Sequence, residues 1–417
     1  MKTVSGRLWR HVNFLKLWSA ETISAFGDAI SEVALPLVAI ITLGAGAREM
    51  GILRALDNAP ILLFGLFIGV WIDRARRQPL MMVTQLGRGI LLATIPVATL
   101  AGALRIELLY FISFLGGMLS ATFTLATTTL LPSLVPHEDL VDANSKLSVS
   151  RSATKIIGPG LTGFLVERIT APFTVAFNGL SFLISGACLV FPRSTESVQI
   201  RNQRTQGIWR EISVGLRTIF LHPILSAMVI GTTIGSFAGA IHGTVFILYL
   251  NHELMINPTW LGIILASAGA GSLLGAAIAN LGAQRYGPGP MLIGSTLLMS
   301  IGMGIVPLAA EVGMFTIPIL ILAQASQSIG LTVYSINQIS LRQAITPREL
   351  LGRVNASRRV LVFGVIPFGA MISGALGETI GLQLTLVIGA VVAFFSFVFH
   401  LTSPLRHVID FRNLSTQ

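Results

Sequence analysis

Residues 21–37 read ETISAFGDAISEVALPL. They sit in a run, 17–43, apolar enough for a bilayer, yet they carry Glu21, Asp28 and Glu32. At 100° per residue of α-helix, Asp28 falls about 20° to one side of Glu21 and Glu32 about 20° to the other. All three acids therefore share one stripe. A charge turned to lipid near mid-membrane costs at least ~2.5–3.5 kcal/mol, so the stripe must face protein or water. One helix cannot supply that shelter, and the segment predicts a bundle of membrane helices.

The rest of the chain supplies such a bundle. It has 417 residues, 53% hydrophobic and 11% charged, with a mean hydropathy of +0.78; soluble domains carry about 25% charged residues. A helix needs about 20 apolar residues to cross the hydrocarbon core. Such runs fall near 17–43, 51–72, 80–102, 107–131, 147–169 and 172–191, then near 222–250, 259–282, 289–309, 314–338, 357–379 and 382–402. The prediction is an all-α membrane protein of twelve transmembrane helices. Alternating strands of ~10 residues, the mark of a membrane β-barrel, are not seen.

The net charge of +10 raises the question of nucleic acid. The basic residues lie in short clusters between apolar runs, with no basic face interleaved with aromatics, so no nucleic-acid partner is expected. With the N-terminus inside, the outside loops hold Arg48, Arg105 and Arg168, while Arg54 and Arg88 fall within spans. Every other Lys and Arg lies on an inside segment. Both termini are expected in the cytoplasm. A lone cysteine, Cys188, excludes an internal disulfide and a Cys-rich metal site. The first apolar run is too long and too acidic for a cleaved signal peptide.

Two six-helix halves, 1–191 and 222–417, flank a basic linker, 192–221. Its end reads as an amphipathic membrane-surface helix, with Ile208, Trp209, Ile212, Leu216, Ile219 and Phe220 towards one side. Sliding the chain by 211 residues pairs Gly51 with Gly262, Pro79 with Pro290 and Pro96 with Pro307. The same register pairs Pro136 with Pro347, Glu138 with Glu349, Asn144 with Asn355, Gly158 with Gly369, Gly163 with Gly374 and Glu167 with Glu378. Matches of Pro, Gly, Asn and Glu in one register predict parallel repeats of like topology.

Between the second and third spans, GVWIDRARRQPLM (69–81) places Gly69, Asp73, Arg74 and Arg77. It resembles the G-x-x-x-D-R-x-x-R loop of the major facilitator superfamily, with Arg76 and Gln78 standing where the family has its later Gly and Lys. Gly69 lets helices approach, and Asp73 can accept from basic groups, a charged latch that breaks when the cytoplasmic side opens. LLPSLVPHEDLVDANSKLSVSRSATKIIGPGLTGFLVE (130–167), FLKLWSAETISAFGDAISEVALPL (14–37), SFLISG (181–186) and ITPRELLGRVNASRR (345–359) are similar to the branch with the enterobactin exporter and macrolide efflux proteins. Gly158, Pro159 and Gly163 partly match the superfamily's fifth-span antiporter motif, with Thr162 at one glycine position. The same GPGLTG is a formal G-x-G-x-x-G, but no strand precedes it and it lies within the membrane. It reads as helix contact around a Pro bend rather than a nucleotide site.

In the architecture this resemblance implies, spans one, four, seven and ten line a central cavity. A carboxylate there can bind and release a proton as the cavity alternates sides, or pair with a cationic substrate. Asp28, Glu32 and Glu21 are the candidates, with Arg54 or Arg88 as structural partners and Asp57 placed to pair with Arg54 on one helix face. His242 is a candidate relay or a packing residue. Asn337, with Gln324, Gln327, Tyr334 and Gln338, makes span ten polar, as Asn58, Thr122, Thr124, Thr127 and Thr128 do for spans two and four. Lys146, Arg151 and Lys155, like Arg358 and Arg359, read as interfacial anchors.

No metal-ligand spacing, nucleophile–base set or Walker loop occurs, so no enzyme activity, cofactor, metal or ATP is expected. The resemblance implies a proton-coupled exporter of drug-, macrolide- or siderophore-like amphiphiles in the bacterial inner membrane, expected as a monomer. The alternatives are an importer of the same fold, a lipid flippase, or a transporter-like sensor.

Overall fold

The computed structural model describes residues 8–136, 139–190, 208–347 and 349–408, and within them every side chain except those of residues 10, 66, 67, 69–71, 73, 74, 133, 141, 208, 209 and 211. The helices are α1 Val12–Leu37, α2 Ala47–Arg74, α3 Arg77–Leu100, α4 Ile106–Leu134, α5 Leu140–Ile169, α6 Ala171–Cys188 and α7 Ile208–Leu221. They continue as α8 Pro223–His252, α9 Pro258–Tyr286, α10 Pro288–Ile305, α11 Thr316–Ile345, α12 Leu351–Gly364, α13 Ile366–Thr379 and α14 Leu382–Thr402.

Helix α3 shows how these segments are built. Val83, Ile90 and Val97, spaced at seven residues, form one exposed apolar face, while Met81, Gln85, Arg88 and Leu92 are buried on the other. Lipid suits the first face, and the polar groups are kept for the protein side. Ten helical segments among the described residues are long and apolar enough to cross a membrane. Helix α2, of 28 residues, carries a single charge, Asp57, over residues 55–72; helix α5, of 30 residues, has the length without a window of that composition. In α5 the reason is its charge: Asp142, Lys146, Arg151 and Lys155 occupy its first half.

Two departures from the expected spans have local causes. Pro36 in α1 lacks the N–H that would bond the Glu32 carbonyl, and the helix continues as a wider π turn, Val38–Thr42. The eleventh expected run is two helices, α12 and α13, meeting at Val365, with Pro367 just inside α13 where no N–H is needed.

The chain forms two compact units, Met1–Ala45 with Leu56–Gln203, and Gly46–Ala55 with Arg204–Gln417. In the first, α1 packs on α5 and α6, and α3 on α4 and α6. In the second, α8 packs on α13 and α14, and α10 on α11 and α14. The pairings correspond at the 211-residue offset down to atoms. Gly158 seats on Ala29, and a Cβ on it would stand 2.5 Å from the Ala29 Cβ; Gly369 seats on Ala240, at 2.8 Å. Ser185 Oγ donates to the Ala20 carbonyl at 2.7 Å, and Ser396 Oγ to the Gly231 carbonyl at 2.9 Å. Small residues and short hydroxyl bonds are what hold helices together where lipid removes the hydrophobic drive.

Helix α7, expected as an amphipathic surface helix, packs on α12 along one side. Ile212, Gly215 and Ile219 are buried, and Ser357 of α12 donates to the Ile212 carbonyl at 3.0 Å. Of its periodic face, Ile212 and Ile219 pack on protein, while Phe220, like Leu221, is exposed. Residues 192–207 of the expected linker lie outside the described residues.

Candidate functional site

The three acids of α1 share a stripe but not an environment. Glu21 is buried, and Arg151 of α5 grips it through both Nε, at 2.9 Å, and Nη2. Thr127 of α4 donates to its other oxygen at 3.3 Å. Glu21 thus ties three helices. This corrects the reading of Arg151 as an interfacial anchor: the helical stripe of α1 fixes where Glu21 points, but its cation comes from a helix 130 residues away.

Asp28 is the opposite case. Its side chain is 47% exposed, while that of its ion-pair partner, Arg88 of α3, is 7% exposed. The Arg88 guanidinium lies 3.8 Å from the centroid of the Phe182 ring, a cation–π contact made inside the protein. Its Nη1 reaches Gln85 Oε1 at 3.5 Å, and Gln85 donates to Ser185 Oγ at 2.8 Å. A buried, oriented cation therefore presents itself to an accessible carboxylate. Of the two intramembrane arginines offered as partners for the acids, Arg88 takes Asp28. Glu32 is exposed one turn further on, beside the carbonyl freed by Pro36. Gly158 of the fifth-span motif packs on Ala29, next to Asp28, so α5 meets α1 at the acid. Thr162 returns a bond to the Gly158 carbonyl at 2.7 Å, Gly163 is buried, and α5 runs unbroken through Pro159.

The remaining predicted residues have surroundings of their own. Asp57 is exposed beside Asn58, whose Nδ2 is 3.5 Å from its carboxylate. Arg54, in the second unit, lies against Gly243 of α8, its Nη2 3.5 Å from where a Cβ would stand. Asn337 is buried and donates to the Val333 carbonyl of its own helix at 2.9 Å. The surroundings of Gly69 and the side chains of Asp73 and Arg74 lie outside what the structure describes; the backbone ends α2 at Arg74 and Arg77 opens α3.

His242 is buried rather than open to a cavity, stacked on Phe246 at 5.5 Å between centroids and packed against Gly389 of α14. The offset explains it. Positions 242 and 389 correspond to Ser31 and Asn178, which hydrogen-bond to each other in the first unit. Where one unit places Ser against Asn, the other places a large ring against no side chain. The two pairs fill a similar volume, and among the described residues the His242 Nε2 is buried without a hydrogen-bond partner.

Sequence reasoning missed a polar chain in the second unit. His400 Nδ1 donates to the Ser396 carbonyl at 2.7 Å and Nε2 meets Tyr334 Oη at 3.0 Å. Tyr334 Oη meets Thr232 Oγ1 at 2.7 Å, and Gln338 Nε2 donates to Thr232 Oγ1 at 3.1 Å. The signal was present in the polarity of span ten, but nothing in the sequence linked it to His400.

Residues 8–416 match the family model described as transmembrane secretion effector. The chain is 21% identical over 375 residues to macrolide efflux protein A of Streptococcus pyogenes, covering 90% of this chain and 91% of that protein. It is 23% identical over 380 residues to the multidrug efflux pump Tap of Mycolicibacterium fortuitum, covering 89% and 90%. Among solved structures, a bacterial homologue of the iron transporter ferroportin in its inward-facing state shares the fold with a TM-score of 0.73 at 16% identity, over 93% of this chain and 98% of that one.

Proposed function

Because the chain belongs to the transmembrane secretion effector family of major facilitator transporters, we propose that it exports amphiphilic small molecules in exchange for protons bound at Asp28. Two relatives are named for the efflux of macrolides and of multiple drugs, which supports export and an amphiphilic cargo. The observation that carries the mechanism is the Asp28–Arg88 pair. With Asp28 ionised, the pair clamps α1 to α3. When Asp28 takes up a proton its charge is lost, and Arg88 is left buried against Phe182 without a counter-charge. Removing one partner of a buried pair is costly, so protonation favours a rearrangement of α1 against α3.

A cationic or neutral amphiphile fits a site whose accessible charges are Asp28 and Glu32; a cation competes with Arg88 for Asp28. Glu21, held by Arg151 and Thr127, is a fastening rather than a proton carrier. The reading places twelve spans in the bacterial inner membrane with both termini cytoplasmic, and two six-helix halves exposing the site to each side in turn.

Everted vesicles with an acidic interior, reported by a pH-quenched dye, test the proposal. A panel of macrolides, lipophilic cations and siderophores is added to wild type, Asp28→Asn, Glu32→Gln and, as a reference, Glu21→Gln. A compound that dissipates the gradient in wild type and Glu21→Gln but not in Asp28→Asn is the expected result. A compound that binds the purified protein while the gradient never moves overturns proton exchange. Accumulation in whole cells and scrambling of labelled lipid then decide between import and lipid flipping.

A further inference from the structure

The polar chain of the second unit ends on two arginines. Arg342 Nη1 of α11 and Arg358 Nη2 of α12 both donate to the same atom, Gln338 Oε1, at 3.3 and 3.2 Å. Arg342 is 8% exposed. Among the described residues, the Nε of each arginine is buried without a hydrogen-bond partner, and neither arginine forms an ion pair with a carboxylate. Two like charges, largely removed from water and sharing one neutral acceptor, leave charge and donors unsatisfied.

The first unit shows what is missing. At the 211-residue offset, Gln338 corresponds to Thr127 and Thr232 to Glu21. The bond from Thr127 to Glu21 reappears as the bond from Gln338 to Thr232. The flanking bonds of Ser185 and Ser396 hold the same register. The first unit thus supplies a carboxylate at this place and sets Arg151 on it; the second has a hydroxyl there and collects two arginines nearby.

We propose that Arg342, Arg358 and Gln338 form a binding site for an oxyanion, a carboxylate or a phosphate, that stands where the first unit keeps the carboxylate of Glu21. Two guanidinium forks suit the paired oxygens of such a group, and an anion joins the free Nε donors to the existing bonds. The source is either a free or cargo-borne anion or a lipid headgroup. The inference does not depend on the direction or the coupling of transport proposed above.

The test uses the full-length protein in phosphatidylcholine nanodiscs. Its unfolding midpoint is measured in inorganic phosphate or sulfate against chloride at matched ionic strength. A rise of about 2 °C or more at oxyanion concentrations well above the dissociation constant is expected. Arg342→Gln and Arg358→Gln should each weaken the response at least about tenfold in oxyanion concentration. Arg358→Lys keeps the charge but not the fork and should lose part of it. Thr232→Glu, which restores the acid of the first unit, should raise the midpoint without oxyanion and blunt the response; it and Arg358→Lys decide the matter if the Gln variants do not fold. In phosphatidylglycerol nanodiscs, a midpoint already raised and insensitive to phosphate identifies the headgroup, whereas an unchanged response identifies a free anion. Equal midpoints in oxyanion and chloride with both lipids, or a response untouched in the variants, overturn the site.

Discussion

The two units keep the same contacts where helices touch and different chemistry where side chains carry charge. Gly158 on Ala29 has its counterpart in Gly369 on Ala240, and the Ser185 bond its counterpart in that of Ser396. Yet Glu21 faces Thr232, Asp28 faces Gly239 and Arg88 faces Met299 across the offset. The first unit pairs Arg88 and Arg151 with carboxylates; the second gathers Arg342 and Arg358 around an amide. Close backbone approach tolerates almost no substitution, because a single methyl has nowhere to go. A polar position is freer, provided each charge finds a partner, and there duplicated halves can diverge in role.

The comparison can be broken most forcefully at Arg151. Arg151→Ala leaves Glu21 charged and buried, and should cost about 3 kcal/mol of stability in detergent unfolding. Thr232→Val at the corresponding place should cost only about 1 kcal/mol, since it removes neutral hydrogen bonds; equal losses would show that the buried charge in the first unit carries no special weight. Gly158→Ala and Gly369→Ala drive a methyl into Ala29 and Ala240, and each should lose about 1–3 kcal/mol. A cost at one alone would show that the helix contact is not shared by the two units.

His242→Ser should open a cavity and cost about 1–2 kcal/mol. Adding Gly389→Asn to it, which copies Ser31 and Asn178, should recover most of that loss, whereas Gly389→Asn alone should clash with the ring. Losses that merely add in the double variant would rule out a conserved shared volume.

The smallest expected effect is at the start of α8. The His222 ring accepts the Leu225 N–H at 3.5 Å, and burial holds its pKa below the ordinary 6.5. The neutral ring is the form that caps, so its contribution is complete above pH 6.5 and fades as pH falls through the lowered folded value. The unfolding midpoint should therefore drop slightly between pH 7 and pH 5, and His222→Asn, which caps without titrating, should flatten that drop.

Much of the fold was legible because a bilayer is a strict solvent: apolar length and the acid stripe of α1 follow from local composition. The 211-residue repeat was legible too, since Gly and Pro matches are tied to backbone geometry. What stayed hidden were the partners. The stripe placed Glu21, Asp28 and Glu32 on one face, but only packing made Glu21 a buried fastening, Asp28 a half-open acid over Arg88, and Glu32 an exposed one. Arg151 and Arg358 read as surface anchors because each stands near a span boundary, where lipid headgroups satisfy a cation as readily as a protein carboxylate does. His242 read as a relay or a packing residue, and nothing in the sequence placed Gly389 against it. Helix periodicity fixes the direction in which a side chain leaves its own helix. What waits at the other end is set by residues a hundred or more positions away, and that the tertiary structure alone decided.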